Sequence, residues 1–510
     1  MNLSMSNVAY RLIITALISL LLLAALPCSA IRAESAGGDE GTYVIMFGSQ
    51  VAGRSHYKVE EINDAEGTSV RISTDTTMQA LMRKNLITDF IQKLTVTVDG
   101  KTGGVKEYSI ANNSPFKAER TTIKCSGGKV EASRTTDVTK VTRALPFTSL
   151  PTPVDIHSPS RGNLNIPLLA YVMAREGMFK KESGEIKSFS TTAFCEIPVK
   201  IMREKTDGKE SVYILEEVTE GARVSYRITV SCDSGKITRI DSPFEGISYI
   251  LGPDRKVSTP PEIFAAYRIA LPCDLRNCAT LKTKVKVQIV QEDVTPEKLS
   301  RSFQTFSGTC RDGVIDGTLQ TRSVNQSLLS SDAYPCRYSG EALEKYLKSD
   351  FFIESDDDMI RKAAESVAKD RKSVKEAALA LAKWVYENIG FEYTDGSAKA
   401  TLICRKGDWL PRNRLYMAML RSLGIPARYA GGLFITENLA GNYLWTEVYL
   451  GKEAGWIPVD TALGQIEYFS ANHVTFWNYG AIEPYTLKPV VEVMDRQEEP
   501  MPKGSKFMIR

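Results

Sequence analysis

The stretch "RKGDWLPRNRLYMAMLRSLGIPAR", from Arg405 to Arg428, has the form of a helix that opens onto a reaction centre. Asp408 is placed to cap it and Pro411 suits its first turn, while Gly424 and Pro426 end it. Its opening turns nevertheless hold no cysteine, serine or histidine, so they offer neither a nucleophile nor a base. The nearest thiol, Cys404, is flanked by Arg405 and Lys406, whose charges favour a thiolate. It lies in "TLICRKG", which reads as a loop or extended segment ahead of the helix. Histidine occurs only at His56, His157 and His473, and no two cysteines have CxxC spacing, so a zinc site built from ligands close in sequence is excluded. Asp356, Asp357 and Asp358 lack the alternation and the glycine of a calcium loop, and suit the acidic first turn of a helix instead. The glycines of "AGG" are not followed by the Gly-Lys-Ser/Thr of a phosphate loop. No cofactor is implied. Trp384, Trp445 and Trp456 sit in runs that read as core.

The elements that would hold these residues divide the 510-residue chain. Residues 1–33 read as a signal peptide: Arg11, the apolar run Leu12–Leu26, then small residues with cleavage after Ala30 or Ala33. Pro27 before Cys28 argues against a lipoprotein site. An apolar run of this length is short of the roughly 20 residues needed to span a bilayer. Residues 34–250 alternate in the β manner, with "DGKTGG", "SGGK" and "DSGK" as hairpin turns and one helix, "IPLLAYVMAREG". They predict a curved antiparallel sheet with a helix packed on one face.

Residues 251–350 read as a small β region or connector. From Phe351 the pattern is helical. Ser355 with Asp358, and Ser373 with Glu376, have capping-box spacing, and Val374, Ala378, Leu381, Val385 and Ile389 share one helix face. Strand-like runs follow the third helix, so 351–489 predicts an α+β domain, with 490–510 as a loosely held tail.

Removing Arg11 and Arg32 with the leader takes the net charge from +3 to +1. A near-neutral chain without basic blocks excludes an electrostatic case for nucleic acid or anionic lipid. Eight cysteines remain, an even number that permits disulfides in an exported protein, with Cys273/Cys278 and Cys310/Cys336 as the local pairs.

"MLRSLGIPARYAGGLF", "LWTEVYL" and "GWIPVDTALGQ", in this order and at these distances, resemble the core of the transglutaminase-like superfamily. The resemblance spans about 120 residues; the openings "YVIMFGSQVAGRSHYKVEE" and "DTALGQIEYFSANHVTF" resemble exported bacterial members more loosely. It implies a papain-type α+β fold and a Cys–His–Asp triad for thiol acyl transfer. In the family the cysteine stands twelve positions before the arginine matched by Arg421, and the histidine two before the tryptophan matched by Trp445. Those places are held here by Trp409 and Tyr443. The aspartate falls on Asp460.

An indole cannot attack a carbonyl, and a phenol with a reference pKa of about 10 is a poor base at neutral pH. The matching segment for His473 lies past the family's aspartate, outside the triad. The resemblance therefore implies an exported protein without the family's chemistry, whose retained cleft binds a peptide, an envelope protein or a wall component. The alternative is a divergent amidase, peptidase or acyltransferase that uses Cys404.

Overall fold

A computed structural model describes residues 39–498 apart from short segments, of which 151–164 and 269–277 are the longest. The leader, Cys28, His157, Cys273 and 499–510 lie outside the described residues.

Fourteen strands, from β1 (Asp39–Phe47) to β14 (Ile247–Leu251), form one antiparallel sheet. Each strand pairs with its neighbours in sequence, and β1 also pairs with β14, so β8 (Lys140–Leu145) and β9 (Ser183–Ser190) are the two edges. Alternation sends one set of side chains inward, as in β7 (Lys129–Thr136), where Val130, Ala132 and Arg134 are buried between exposed neighbours. Helix α1 (Ile166–Arg175) is capped by Asn165, whose side chain accepts from the Leu168 amide at 3.0 Å. Its Ile166, Leu169, Val172 and Met173 pack with Tyr43, Ile45, Tyr213 and Tyr226, while Leu168 joins the apolar cluster of Ile72, Leu94 and Phe189. One helix thus touches the inner face of both halves of the sheet. Phe147, just beyond β8, meets Phe189 of β9 edge-on at 5.8 Å, which brings the two edges toward each other.

The rest of the described chain shares one core. A four-stranded antiparallel sheet is built from β15 (Cys278–Ile289), β16 (Gln304–Arg311), β17 (Val314–Arg322) and β22 (Thr486–Glu498), in the order β16-β17-β15-β22. Its Leu281, Val285, Ile315, Leu319 and Val491 belong to the same apolar cluster as the helices that follow. The expectation of a loose tail from 490 is corrected here, since residues through Glu498 continue β22. Its partner β15 lies some two hundred residues upstream, a pairing that local pattern cannot reveal.

The helices are α2 (Asp358–Ala368), α3 (Val374–Asn388), α4 (Ala398–Cys404) and α5 (Trp409–Ser422). Asp357, not Ser355, caps α2, its carboxylate accepting from the Met359 amide at 2.9 Å. Ser373 caps α3, and Glu376 returns the bond to the Lys372 amide at 2.9 Å, closing the box. The expected loop "TLICRKG" is corrected to the end of α4, a helix too short for its period to show. Ser397 caps it, and its buried Ala398, Ala400, Thr401 and Leu402 hold it.

Beyond α5, β18 (Ala427–Ile435) lies between β19 (Leu439–Tyr449) and β21 (His473–Tyr479), and β20 (Trp456–Val459) pairs with the far end of β19. Leu444 and Val448 join the core that includes α5, and Thr446 bonds Asn413 of that helix. Tyr443 and Trp445 point to the other face, among Ala430, Phe469 and Val324. The "AGG" glycines are structural. A Cβ on Gly432 would lie 2.0 Å from the Val474 carbonyl, so its absence lets β21 approach at the register shift beside Gly431.

The two regions are joined at 349–357. Phe351 is buried in the apolar cluster of the N-terminal sheet. Phe352 holds its ring between the guanidinium carbons of Arg134 at 4.0 Å and Arg414 of α5 at 4.4 Å. No helix among the described residues is long and apolar enough to cross a membrane.

The expected disulfides are also corrected. Cys278, Cys310 and Cys336 are free thiols, so neither local pair forms. Cys278 is buried at the start of β15, its thiol donating to the Thr280 carbonyl at 3.0 Å. Cys310 lies on β16 at the sheet edge, whereas the backbone of Cys336 sits against Gly424 at the end of α5. Nearness in sequence did not bring their strands and loops together.

Candidate functional site

Asp408 starts α5, its side chain accepting from the Leu410 amide at 3.1 Å. Trp409 therefore occupies the first helical position, half-buried against the core. Its ring centroid is 6.2 Å from that of Tyr443 on β19, with the planes tilted by 50°. The Tyr443 hydroxyl donates to Asp460 Oδ1 at 3.3 Å. Asp460 follows β20 directly, and its Oδ1 also accepts from the amides of Ala462 and Leu463, both at 2.9 Å. The three residues singled out in the sequence are thus brought together, although they come from a helix, a strand and a turn.

His473 completes this cluster and was not expected in it. At the start of β21, paired across from Phe434, its Nε2 lies 3.2 Å from Asp460 Oδ2, and its Nδ1 lies 3.3 Å from the Ser470 carbonyl. Both side chains of the His473–Asp460 pair are fully buried. Aromatic rings enclose the imidazole: Phe469 at 4.2 Å, Phe434 at 4.8 Å, Trp445 at 5.0 Å and Tyr443 at 5.9 Å between centroids. The usable signal was that His473 is the one histidine of this region, thirteen residues after Asp460.

Two further residues of α5 support the arrangement. Arg412 is buried and donates Nε to the Gly407 carbonyl at 3.1 Å, Nη1 to Ala462 at 3.3 Å and Nη2 to Ile389 at 2.5 Å. It ties the start of the helix to the turn that carries Asp460. Burial draws its pKa below arginine's usual value, and the charge of Asp460 opposes that shift. Asn413 donates to the Trp409 carbonyl at 2.8 Å and the Leu444 carbonyl at 3.2 Å, and accepts from the Thr446 hydroxyl at 2.9 Å. Polar residues in a helix that is buried nearly all round were the signal for both.

The chemistry follows from these contacts. Burial first, and then the negative charge of Asp460, push the Tyr443 phenol well above its ordinary value, so it stays protonated and donates. The Asp460 carboxylate receives four hydrogen-bonding groups, and the imidazole has both nitrogens occupied inside the core. Cys404 ends α4 as an exposed thiol. Its charged neighbours are engaged elsewhere: the Arg405 guanidinium lies 4.8 Å from the Trp384 ring centroid and Lys406 pairs with Glu392 at 2.7 Å. Trp445 is fully buried, as its run suggested, whereas Trp384 and Trp456 are half-buried at the margin, each beneath an arginine.

Residues 361–461 match the transglutaminase-like superfamily, and through this domain, which contains Trp409, Tyr443 and Asp460, the chain belongs to it. Among solved structures, the chain is similar to a candidate cysteine protease from Cytophaga hutchinsonii at 16% identity, over 48% of this chain and 98% of that one, with a TM-score of 0.31. A beta-barrel-like protein of a domain family of unknown function from Brucella abortus aligns at 13% identity over 42% and 94%, with a TM-score of 0.28. A candidate protease from Parabacteroides distasonis aligns at 11% identity over 81% and 68%, with a TM-score of 0.19. No curated protein matches the chain.

Proposed function

We propose that this is an exported, non-catalytic transglutaminase-like protein that uses the surface around Trp409 and Tyr443 to bind a peptide, an envelope protein or a wall component. The observation that carries this reading is the occupancy of Asp460. Its carboxylate is held by Tyr443, His473 and two backbone amides, with an indole where the superfamily places a thiol. A triad aspartate orients an imidazole that meets both nucleophile and substrate. Here the imidazole is sealed behind Phe434, Trp445 and Phe469, away from any incoming carbonyl. What remains near the surface is two half-buried aromatic rings, the kind of rigid, amphipathic area that recognises a partner.

The competing reading, a thiol enzyme built on Cys404, has an exposed thiol in its favour but no imidazole beside it. Assays of amide hydrolysis and of amine incorporation separate the two. The wild type and Cys404→Ser should both stay at background, and so should Trp409→Cys. Trp409→Cys combined with Tyr443→His should be the variant with the best prospect of thiol labelling and turnover, because Asp460 is already within reach of the new imidazole. A wild-type activity that Cys404→Ser abolishes would establish the thiol enzyme and remove the binding reading.

A further inference from the structure

We propose that Glu354 is a proton-operated clasp between the N-terminal sheet and the transglutaminase-like domain, which tightens when its carboxyl gains a proton and loosens when it loses it.

The segment 349–357 grips both regions at once. Toward the sheet, Phe351 enters the apolar cluster of Leu94, Val96 and Tyr108. Arg143 of β8 donates to both oxygens of Asp356, at 2.9 and 2.7 Å, and to Ser349 at 2.9 Å. Toward the domain, the Ala398 amide donates to the Phe352 carbonyl at 2.8 Å, and Arg421 of α5 lies 3.9 Å from Asp350. Glu354 sits in the middle of this grip, only 2% exposed. Its Oε2 accepts from the Lys399 amide at 3.0 Å, in the first turn of α4, and the Ser397 hydroxyl lies beside it. Its Oε1 makes no hydrogen bond with any described residue.

The charges around Glu354 are already matched among themselves. Arg134 of β7 donates Nε to Glu119 at 2.8 Å and Nη2 at 2.5 Å. Lys399 directs its ammonium to Asp357 at 2.7 Å. Arg143 is taken by Asp356, Arg414 donates to the Gly396 carbonyl at 3.0 Å, and Asp350 faces Arg421. No cation is left to pair directly with Glu354, and an ionised carboxylate with one bare oxygen is costly to keep from water.

Burial accordingly raises the Glu354 carboxyl from 4.5 to about 6, against the opposing pull of its hydrogen bonds and of Arg134. An opened segment would return the group to its ordinary value. The closed clasp therefore binds the proton more tightly than the open one, and proton loss favours opening by up to about 30-fold. Because the segment also holds Arg414 through Phe352, the clasp acts on the helix that begins with Trp409.

Hydrogen exchange of the intact protein, followed by mass spectrometry and corrected for intrinsic rates, tests this between about pH 4.5 and pH 7.5. Residues 349–357 and the first turn of α4 should open up to about 30-fold more at the higher pH, while α3 serves as an internal reference and stays level. In Glu354→Gln the same segments should show no such rise. A flat profile in the wild type, an undiminished rise in Glu354→Gln, or an equal rise in α3 would each overturn the proposal. The wild-type profile alone decides if the variant does not fold.

Discussion

In the fourteen-stranded sheet the buried polar residues are almost all serine and threonine, with Gln92, Asn165 and a single charged side chain, Arg134. The second region buries Glu354, Asp408, Arg412, Arg414, Arg421, Glu447, Asp460 and His473. Hydroxyls are satisfied by the strands around them, as where Ser55 and Thr76 meet at 2.7 Å, and they carry no charge. Ionised groups need specific partners from distant segments, and removing one partner strands the other. The sheet is therefore expected to tolerate substitution and pH where the transglutaminase-like domain does not. Three substitutions sharpen that contrast.

Glu447 carries the largest expected effect. Its two oxygens take Arg301 at 3.1 Å and Arg428 at 2.9 and 2.7 Å, with the carboxylate almost wholly buried. Glu447→Ala leaves two guanidiniums without their anion and should cost about 3–5 kcal/mol in denaturant unfolding. The counterpart in the sheet is Glu182, which pairs with Arg203 at 2.6 Å but is mostly exposed. Glu182→Ala should cost under about 1 kcal/mol. Similar losses for the two would mean that burial of charge does not separate the regions.

Next in size is Glu354→Gln, whose sign depends on pH. The folded carboxyl titrates near 6 against an ordinary 4.5, so its contribution is fully present below 4.5 and is lost as pH rises through about 6. Glutamine stays neutral and retains an acceptor for the Lys399 amide. The variant should match the wild type near pH 4 and be more stable by up to about 2 kcal/mol near pH 8. Thermal melts across that range check it, and a variant less stable at pH 8 would show that the charge is compensated after all.

The smallest effect belongs to a local device. Ser373→Ala removes the acceptor for the Glu376 amide at 3.2 Å and should cost about 1 kcal/mol, independent of pH. A loss of several kcal/mol there would mean that Ser373 holds more than its own helix.

What the chain declared by itself is what rests on neighbouring residues. Alternation along β7 marked a strand, and Ser373, Asp408 and Gly177 marked helix ends, because caps and periods act within a few positions. The spacing of Trp409, Tyr443 and Asp460 was likewise legible against a family pattern, and with it the missing thiol and imidazole. Tertiary structure decided the rest. It gave Asp460 an imidazole from His473, placed β22 beside β15, inserted Phe351 into the other region's core and kept Cys310 from Cys336. Each of these joins or separates residues by packing across the fold, and no local period or spacing carries that information. The site is the sharpest case: the sequence showed which two chemical groups were gone, but only the folded chain shows that the remaining aspartate has found other partners.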